Sequence, residues 1–189
     1  SLMFILAITP GRGFEPTTWK RVLHSGVDGL LVREKHLDAR PLLEAVRFCR
    51  NEAPSVELWV AGRLDVALRA SCGLHVPEDH PEVPPGLVPL SRPLHALGQA
   101  SDRREADQLL ISPVFATPGK GGPLGPAGLH AWLEALPPTR TRLLALGGIE
   151  PANAPSLRHP RLAGIALIRA LWEAPEPSEV VEALRAAWA

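Results

Sequence analysis

Residues 107–136 read DQLLISPVFATPGKGGPLGPAGLHAWLEAL and contain a strand, a loop and a helix in that order. The apolar run predicts a strand over Gln108–Val114 that is buried on both faces, as parallel strands are. The segment rich in Gly and Pro predicts a loop. Pro126–Leu136 predicts a helix, because it opens with proline and ends at a Pro-Pro pair. This order is the repeating unit of an α/β protein.

The same alternation of strands and helices continues along the whole chain. Eight strand–helix repeats predict a compact (β/α)8 TIM barrel that forms one domain over residues 1–189. A seven-stranded doubly wound sheet is the alternative. The chain of 189 residues is short for a barrel, so its helices and loops are expected to be trimmed. The predicted strands are Met3–Ile8, Gly29–Arg33, Val56–Ala61, Gly73–Val76, Leu87–Leu90, Gln108–Val114, Leu143–Leu146 and Gly164–Ile168, and the predicted helices are Thr17–Ser25, Arg40–Asn51, Arg63–Ser71, Pro126–Leu136, Pro151–Leu157 and Ser178–Trp188.

The composition is ordinary for a globular protein, with 46% hydrophobic and 21% charged residues and a net charge of zero. No basic patch or run of like charge is present, so neither nucleic acid nor a membrane is an expected partner. Cys49 and Cys72 lack the spacing of metal or redox motifs and are expected to be buried free thiols of a cytoplasmic protein. The sequence is compatible with a homodimer if Trp172 or Trp188 belongs to an exposed apolar patch.

The loop over Ile111–Gly125 combines several features of an anion site. Of the 20 basic residues only three are lysines, and Lys120 is one of them. The loop places this ammonium group beside the Thr117 hydroxyl and the backbone N–H groups of glycines such as Gly122. Such a combination suits a phosphorylated small molecule. The alternative interpretation is a flexible surface loop with a solvated lysine.

Charged residues follow the second predicted strand, at the end of the barrel where active sites lie. Alternation along a strand sends Arg33 and Lys35 to one side and Glu34 to the other, so either set could face the barrel mouth. Lys35 in a cleft would anchor an anion or, if desolvated, donate a proton. Ser91 follows the fifth predicted strand.

Two further strand ends predict a phosphate site. Gly147 and Gly148 follow the seventh strand, where glycines allow close approach of the backbone to a bound group. Arg169 follows the eighth strand, and barrels of this kind often bind phosphate after these two strands. Glu78 and Asp79 follow the fourth strand and could take Mg²⁺ bound to a pyrophosphate, although a solvated turn is an equal alternative.

Three motifs together resemble one known family. They are VREK at 32–35, SPVFATPGKGG at 112–122 and LALGGI at 144–149, and they are similar to motifs of the thiamine phosphate synthase and TenI family. The resemblance implies a (β/α)8 barrel that binds a thiazole phosphate at its mouth. The synthases of the family join the thiazole to an aminopyrimidine diphosphate with Mg²⁺. The TenI branch isomerises a thiazole phosphate carboxylate by proton transfer, without metal.

The resemblance assigns roles to several residues by position. Lys35 matches the lysine that contacts pyrophosphate, and Ser91 matches a serine after the fifth strand. The Thr and Lys of the loop motif are Thr117 and Lys120. The thiazole phosphate site corresponds to Gly148, Ile168 and Arg169, where Arg169 replaces a serine.

The departures from the synthase pattern concern the metal. An Asn-Asp pair that holds pyrophosphate and metal is missing, and the segment reads Ala61-Gly62-Arg63, with Arg63 expected to place a cation where the metal carboxylate would be. Only Asp79 remains as a metal ligand. The run AGRLDVAL at 61–68 resembles TenI instead. However, Pro113 stands where a TenI enzyme has its acid–base histidine.

The sequence therefore favours a TenI-like thiazole tautomerase that binds a phosphorylated thiazole and needs no cofactor. The first alternative is a thiamine phosphate synthase, which would use Mg²⁺ with Asp79 as a ligand. The second alternative is a non-catalytic binder of thiazole or thiamine phosphate. The candidate proton-transfer residues are Glu34, Lys35 and Lys120, with His75 a further candidate by position. The candidate binding residues are Arg33, Arg63, Ser91, Thr117, Gly122, Gly147, Gly148, Ile168 and Arg169.

Overall fold

A computed structural model describes residues 2–189, so that Ser1 lies outside the described residues, and shows a closed barrel of eight parallel strands. Each strand pairs with the next one along the chain, and the last strand pairs with the first from Phe4↔Gly164 to Ala7↔Leu167. This closing pair confirms the predicted barrel and excludes the doubly wound sheet. The strands are β1 (Phe4–Ile8), β2 (Gly29–Val32), β3 (Glu57–Ala61), β4 (Gly73–His75), β5 (Leu90–Leu94), β6 (Gln108–Ile111), β7 (Arg142–Leu146) and β8 (Gly164–Leu167).

The helices around the barrel are short or incomplete, as the length of the chain predicts. In the described part of the chain no helix separates β4 from β5, where Pro77–Gly86 has four prolines in ten residues. Two connections have only a 3-10 helix, at Leu97–Arg103 and Ala154–Leu157. The α-helices are α1 (Pro16–Leu23), α2 (Ala39–Glu52), α3 (Leu64–Ala70), α4 (Gly125–Ala135), α5 (Arg169–Trp172) and α6 (Pro177–Trp188).

The layer between strands and helices contains an aromatic cluster. Trp19 of α1 packs edge-on against Phe14 and Trp172, with ring centroids 4.9 Å and 6.1 Å apart. The sequence is compatible with a homodimer if Trp172 or Trp188 belongs to an exposed apolar patch. Trp172 is only 9% exposed and does not belong to such a patch. Trp188 is half-buried. A homodimer therefore stays a prediction.

The interior of the barrel is filled by side chains that alternate with those of the outer layer. Leu6, Leu31, Trp59 and Leu144 form the centre of this inner core. A Cβ atom at Gly73 would lie 2.3 Å from the indole of Trp59, so the neighbouring strand needs glycine at this position to admit the large ring. The interior is thus a packed core, and an open space forms only at the mouth.

Several predicted elements differ from the structure, among them the sixth strand, which ends at Ile111 and not at Val114. The fifth strand is β5 at Leu90–Leu94, not Leu87–Leu90. Proline lacks the N–H that a strand interior uses, and the sheet nevertheless accommodates Pro93 within this strand. The predicted helix Pro151–Leu157 is reduced to turns and a 3-10 helix by its two prolines. The last helix, α6, begins at Pro177, so Ser178 lies inside it rather than capping it.

Both cysteines are free and buried, as the sequence predicts. Burial raises the pKa of the Cys49 thiol to about 12 and that of Cys72 to about 11, so both stay protonated at neutral pH. None of the helices formed by residues 2–189 combines the length and the hydropathy that a membrane span requires.

Candidate functional site

A cavity of about 950 Å³ opens at the carboxyl ends of the strands. Its floor is apolar and consists of inner-core side chains, among them Ile8, Leu31, Leu110 and Ala166. Its rim is formed by the loops that follow the strands. A volume of this size lies at the upper end of what one small ligand needs.

The end of β2 faces the cavity with its basic side chains. Arg33 and Lys35 line the cavity, whereas Glu34 between them points away and is 5% exposed. The Glu34 carboxylate accepts hydrogen bonds from the backbone N–H groups of Gly11, at 2.7 Å, and Gly13. Glu34 therefore holds the β1–α1 loop in place and does not reach the cavity, contrary to its predicted role in proton transfer. Strand alternation explains both orientations.

The loop after β6 contributes a hydroxyl and an ammonium group. Thr117 and Lys120 line the cavity, whereas Gly122 is exposed and lies outside the lining. The Thr117 Oγ1 atom is buried and has no hydrogen-bond partner within residues 2–189. A buried hydroxyl without a partner is costly, so this atom is available to a bound ligand. The end of the loop is fixed by the N–H of Gly125, which donates to the Val114 carbonyl at 2.8 Å.

The glycine pair after β7 packs directly against that loop. Gly147 and Gly148 have φ angles of +118° and +62°, which side chains other than glycine rarely adopt. A Cβ atom at Gly147 would lie 2.9 Å from the backbone nitrogen of Val114. The Asn153 side-chain amide donates to the Gly148 carbonyl at 2.9 Å and fixes the turn. Both glycines line the cavity, as predicted.

The end of β8 adds a third basic group. Ile168 and Arg169 line the cavity, and the Arg169 side chain is 67% exposed. Its Nε atom lies 3.6 Å from the Glu173 carboxylate, which also lies 3.5 Å from Arg12. Glu173 thus neutralises part of the positive charge at this side of the mouth.

The end of β4 brings an uncharged imidazole to the cavity. His75 lines the cavity, and its Nδ1 atom lies 2.9 Å from Ser91 Oγ, which is fully buried beneath it and does not line the cavity. Burial is the main cause that lowers the pKa of His75 to about 4, and the neighbouring side chains of Arg33, His95 and Arg92 contribute to the same shift. His75 is therefore neutral at pH 7.

The structure places Arg63 away from the predicted anion site. Its guanidinium group forms two hydrogen bonds with Asp65, at 3.1 Å and 2.8 Å, which hold the pKa of the Asp65 carboxyl below its usual value. Gly62, not Arg63, lines the cavity at the end of β3. The cation expected at the metal position is therefore absent from the cavity wall, because the neighbouring carboxylate binds it.

The acidic residues of the cavity do not form a metal site. Asp79 is exposed and lies outside the cavity lining. Glu78 lines the cavity, but its Oε1 atom accepts hydrogen bonds from His95 at 3.0 Å and Gln99 at 2.9 Å and lies 3.4 Å from Arg103. Among residues 2–189, no group of three or more His, Cys, Asp or Glu side chains is placed to hold a metal ion.

Eight of the predicted catalytic and binding residues meet in the cavity together with His75, and four lie outside it, as does Asp79. Sequence reasoning missed His95 because it assigned the wrong bounds to the fifth strand, which ends just before this residue. It also missed Glu173, which lies one helical turn after Arg169 and is recognisable only by that spacing. The residues brought together are Arg33, Lys35, Thr117, Lys120, Gly147, Gly148, Ile168 and Arg169, and those outside are Glu34, Arg63, Ser91 and Gly122.

An eight-stranded barrel with basic and glycine-rich strand ends around one cavity is the architecture of barrels that bind phosphorylated small molecules. The family model described as thiamine monophosphate synthase matches residues 5–171, and the chain belongs to this family. The resemblance of the three motifs is thereby confirmed.

Relatives of known sequence agree with this assignment, and a solved structure shows the same fold. The thiamine-phosphate synthase of Vibrio parahaemolyticus is 32% identical over 176 residues, which cover 87% of this chain and 86% of that protein. A putative thiamine-phosphate synthase of Geobacter sulfurreducens is 33% identical over 175 residues, 87% of this chain and 82% of that protein. The thiamine phosphate pyrophosphorylase structure from Pyrococcus furiosus superposes with a TM-score of 0.85 at 23% identity, covering 98% of this chain and 95% of that chain, and shows the same fold.

Proposed function

We propose that this protein is a thiamine-phosphate synthase, which joins a thiazole phosphate to an aminopyrimidine diphosphate and releases pyrophosphate. The observation that carries the proposal is the presence of two separate anion-binding groups in one cavity, after β2 and after β7 and β8, with β1 between them. The names of the relatives support the same activity. This proposal replaces the tautomerase that the sequence favoured.

The group after β2 suits the diphosphate. Arg33 and Lys35 line the cavity, and neither forms an ion pair with a carboxylate of residues 2–189. When the bond between the aminopyrimidine methylene carbon and the diphosphate oxygen breaks, negative charge grows on the leaving pyrophosphate. Fixed cations at that position stabilise the transition state more than the ground state. Lys120, likewise without an ion pair in this range, extends the same positive field from the β6 loop.

The group after β7 and β8 suits the single phosphate of the thiazole. The turn at Gly147 and Gly148 brings backbone close to a bound group, and Arg169 adds a charge at the rim. The unpartnered hydroxyl of Thr117 lies in the adjoining loop. A phosphate bound there would leave the thiazole ring over the apolar floor of the cavity.

The tautomerase receives less support from the geometry. Proton transfer near neutral pH needs a group that both accepts and donates a proton. Pro113 lies in the wall where a TenI enzyme has histidine, and Glu34 faces away from the cavity. His75 has a pKa of about 4, which makes it a weak base at neutral pH. Lys35 and Lys120 are exposed at the rim of the cavity, where they are placed to bind anions.

The donor set of the cavity does not fit a Mg²⁺ ion held by the protein. Mg²⁺ is bound by carboxylates together with substrate phosphates. Here Gly62 lines the end of β3, Asp79 lies outside the lining, and Glu78 is already engaged by three side chains. We therefore assign the neutralisation of the diphosphate to Arg33, Lys35 and Lys120, and no step of the proposal depends on a metal ligand of the protein.

The proposal is tested by incubating the purified protein with aminopyrimidine diphosphate and thiazole phosphate and measuring thiamine phosphate and pyrophosphate. The expected result is equal formation of both products. In parallel, the protein is incubated with the thiazole phosphate carboxylate tautomer. Conversion of the tautomer without coupling would establish the tautomerase, and tight binding without either reaction would establish the non-catalytic binder.

A further inference from the structure

A row of four polar side chains, three of them buried, crosses the interior of the barrel from the cavity to the opposite end. His75, Ser91, Gln108 and Arg142 are register partners on the adjacent strands β4, β5, β6 and β7. Ser91 and Gln108 are fully buried, and His75 is 8% exposed. The inner-core side chains packed near it are apolar, and a satisfied hydrogen-bonded row among them fixes one arrangement of the interior.

One direction of the hydrogen bonds satisfies every polar group along the row. Arg142 Nε can only donate, and it donates to Gln108 Oε1 at 3.0 Å, which fixes the orientation of the amide. Gln108 Nε2 therefore donates to Ser91 Oγ at 3.1 Å. The remaining hydrogen-bond partner of Ser91 Oγ among the described residues is His75 Nδ1 at 2.9 Å. Donation from the hydroxyl to this nitrogen is the direction that leaves no buried hydroxyl proton without an acceptor. The neutral ring then carries its proton on Nε2.

The far end of the row is anchored where the strands begin. The Arg142 guanidinium group binds the Glu57 carboxylate and lies 3.8 Å from the centre of the Phe4 ring. Glu57 also accepts a hydrogen bond from the Trp59 indole N–H at 2.8 Å. An arginine held from both sides does not rotate freely, and it keeps the whole row in one arrangement.

We propose that Gln108 and Arg142 are positioning residues that fix His75 as the Nε2–H tautomer, so that it donates a hydrogen bond to a ring nitrogen of the aminopyrimidine substrate. The proposal rests on the proposed function for the identity of the ligand. His75 lines the cavity, and its Nε2 atom has no hydrogen-bond partner among residues 2–189. A neutral donor above an apolar floor suits a neutral ring acceptor, whereas the phosphates are left to the charged residues at the rim.

The test reads the tautomer directly by ¹⁵N NMR of the histidine rings in the ligand-free protein. The variant His75→Gln identifies the His75 signals. In the unaltered protein, we expect Nε2 to carry the proton and Nδ1 to be unprotonated. In Gln108→Glu, the carboxylate cannot donate to Ser91, so the Ser91 hydroxyl donates to it and accepts from His75 Nδ1–H instead. The proton is expected to move from Nε2 to Nδ1.

The control is Thr141→Val. The Thr141 hydroxyl lies beside Arg142 at the start of β7, donates to the Ala106 carbonyl and is not part of the row. It is expected to leave the tautomer unchanged. Gln108→Leu removes the donor without adding charge and is expected to give a mixture of tautomers, which keeps the test decisive if Gln108→Glu does not fold. An Nδ1–H ring in the unaltered protein, or an Nε2–H ring in both Gln108 variants, would overturn the proposal.

The ligand is tested separately from the tautomer. Aminopyrimidine diphosphate is expected to shift the His75 Nε2 resonance, whereas thiazole phosphate and pyrophosphate are not, and Gln108→Glu is expected to raise its Kd at least tenfold. A shift with thiazole phosphate alone would overturn the assignment of the ligand. Because binding needs no turnover, these results stand apart from the coupling assay, whose failure would concern the proposed function only.

Discussion

The backbone N–H of Phe115 donates to the carbonyl of Gly147 at 3.0 Å. This bond joins the loop after β6 to the glycine turn after β7, and the N–H of Val114 strengthens the junction by donating to the Leu146 carbonyl at 3.0 Å. The two motifs that the sequence analysis treated separately are therefore one wall of the cavity. The position of Thr117 depends on the conformation of the glycine turn.

Replacing Gly148 by alanine tests this wall. The added Cβ would lie 3.0 Å from Phe115 Cβ and 3.1 Å from the Ala116 carbonyl, at a φ of +62°. We expect Gly148→Ala to weaken thiazole phosphate binding about tenfold or more, measured by calorimetry, because loop and turn must separate. Gly98→Ala is the control, since nothing lies within 4 Å of its added Cβ. If Gly148→Ala binds thiazole phosphate as tightly as Gly98→Ala does, the phosphate binds elsewhere.

Lys35 is expected to bind the pyrophosphate. Removing its charge in Lys35→Met should weaken pyrophosphate binding about tenfold or more, because a hydrogen bond to a charged group contributes about 1.5–3 kcal/mol. Lys20→Met serves as the control, because Lys20 lies in α1 and pairs with Glu52, 3.6 Å away. The Kd of both variants is measured at two salt concentrations. A loss of affinity in Lys20→Met as large as in Lys35→Met would indicate a general charge effect.

Pyrophosphate binding is expected to persist when Mg²⁺ is removed. The cavity offers cationic side chains and no set of metal ligands, so the anion does not need a metal bridge to the protein. Titration with pyrophosphate in EDTA and in Mg²⁺ should give Kd values within about tenfold of each other. Binding that occurs only with Mg²⁺ would contradict this account of the cavity.

Glu34 is expected to affect stability rather than chemistry. Its carboxylate accepts hydrogen bonds from two backbone N–H groups, and the amide in Glu34→Gln has only one oxygen to replace both. We expect the free energy of unfolding to fall by about 1–3 kcal/mol, with kcat changed by less than tenfold. Denaturant titration and the coupling assay measure the two effects. A large loss of kcat at unchanged stability would restore the predicted role in proton transfer.

The stability of the protein is expected to depend on the protonation of His75. Its pKa is about 4 in the folded protein, against an ordinary value of 6.5, so the unfolded chain binds more protons between these values. Stability is therefore full above pH 6.5 and falls as the pH is lowered toward 4, by roughly 3 kcal/mol in total. The charged groups that face His75 are Arg33, Arg92 and His95, and all three oppose its protonation.

This pH dependence is isolated by comparison with His75→Gln. The difference in unfolding free energy between the unaltered protein and the variant should stay constant above pH 7 and shift in favour of the variant toward pH 4. A difference that is constant over the whole range would show that His75 is not buried in neutral form.

The barrel could be predicted because its signals are local. The strands are continuous apolar runs, and Gly147 and Gly148 mark a strand end by composition alone. The sequence could not predict whether Arg33 and Lys35 or Glu34 face the cavity. Alternation along the strand fixes only that Glu34 points to the side opposite to Arg33 and Lys35. The pairing of Arg63 with Asp65 was missed because it depends on side-chain geometry that spacing does not specify.

The buried row below His75 could not be predicted at all. Gln108 and Arg142 lie at the starts of β6 and β7, where polar residues usually mark solvated strand ends. Their contact depends on the register Gln108↔Arg142, which the pairing of β6 with β7 establishes. Gln108 and Arg142 are therefore brought together by the pairing of two strands, which local sequence patterns do not specify.

The proposed function requires one cavity to hold a thiazole phosphate and a pyrophosphate at the same time. The decisive measurement is a crystal structure of the protein soaked with both compounds. We expect the thiazole phosphate beside Gly148 and Arg169 and the pyrophosphate beside Arg33 and Lys35, each at full occupancy. Mutually exclusive binding of the two anions at a single position would contradict the proposed function.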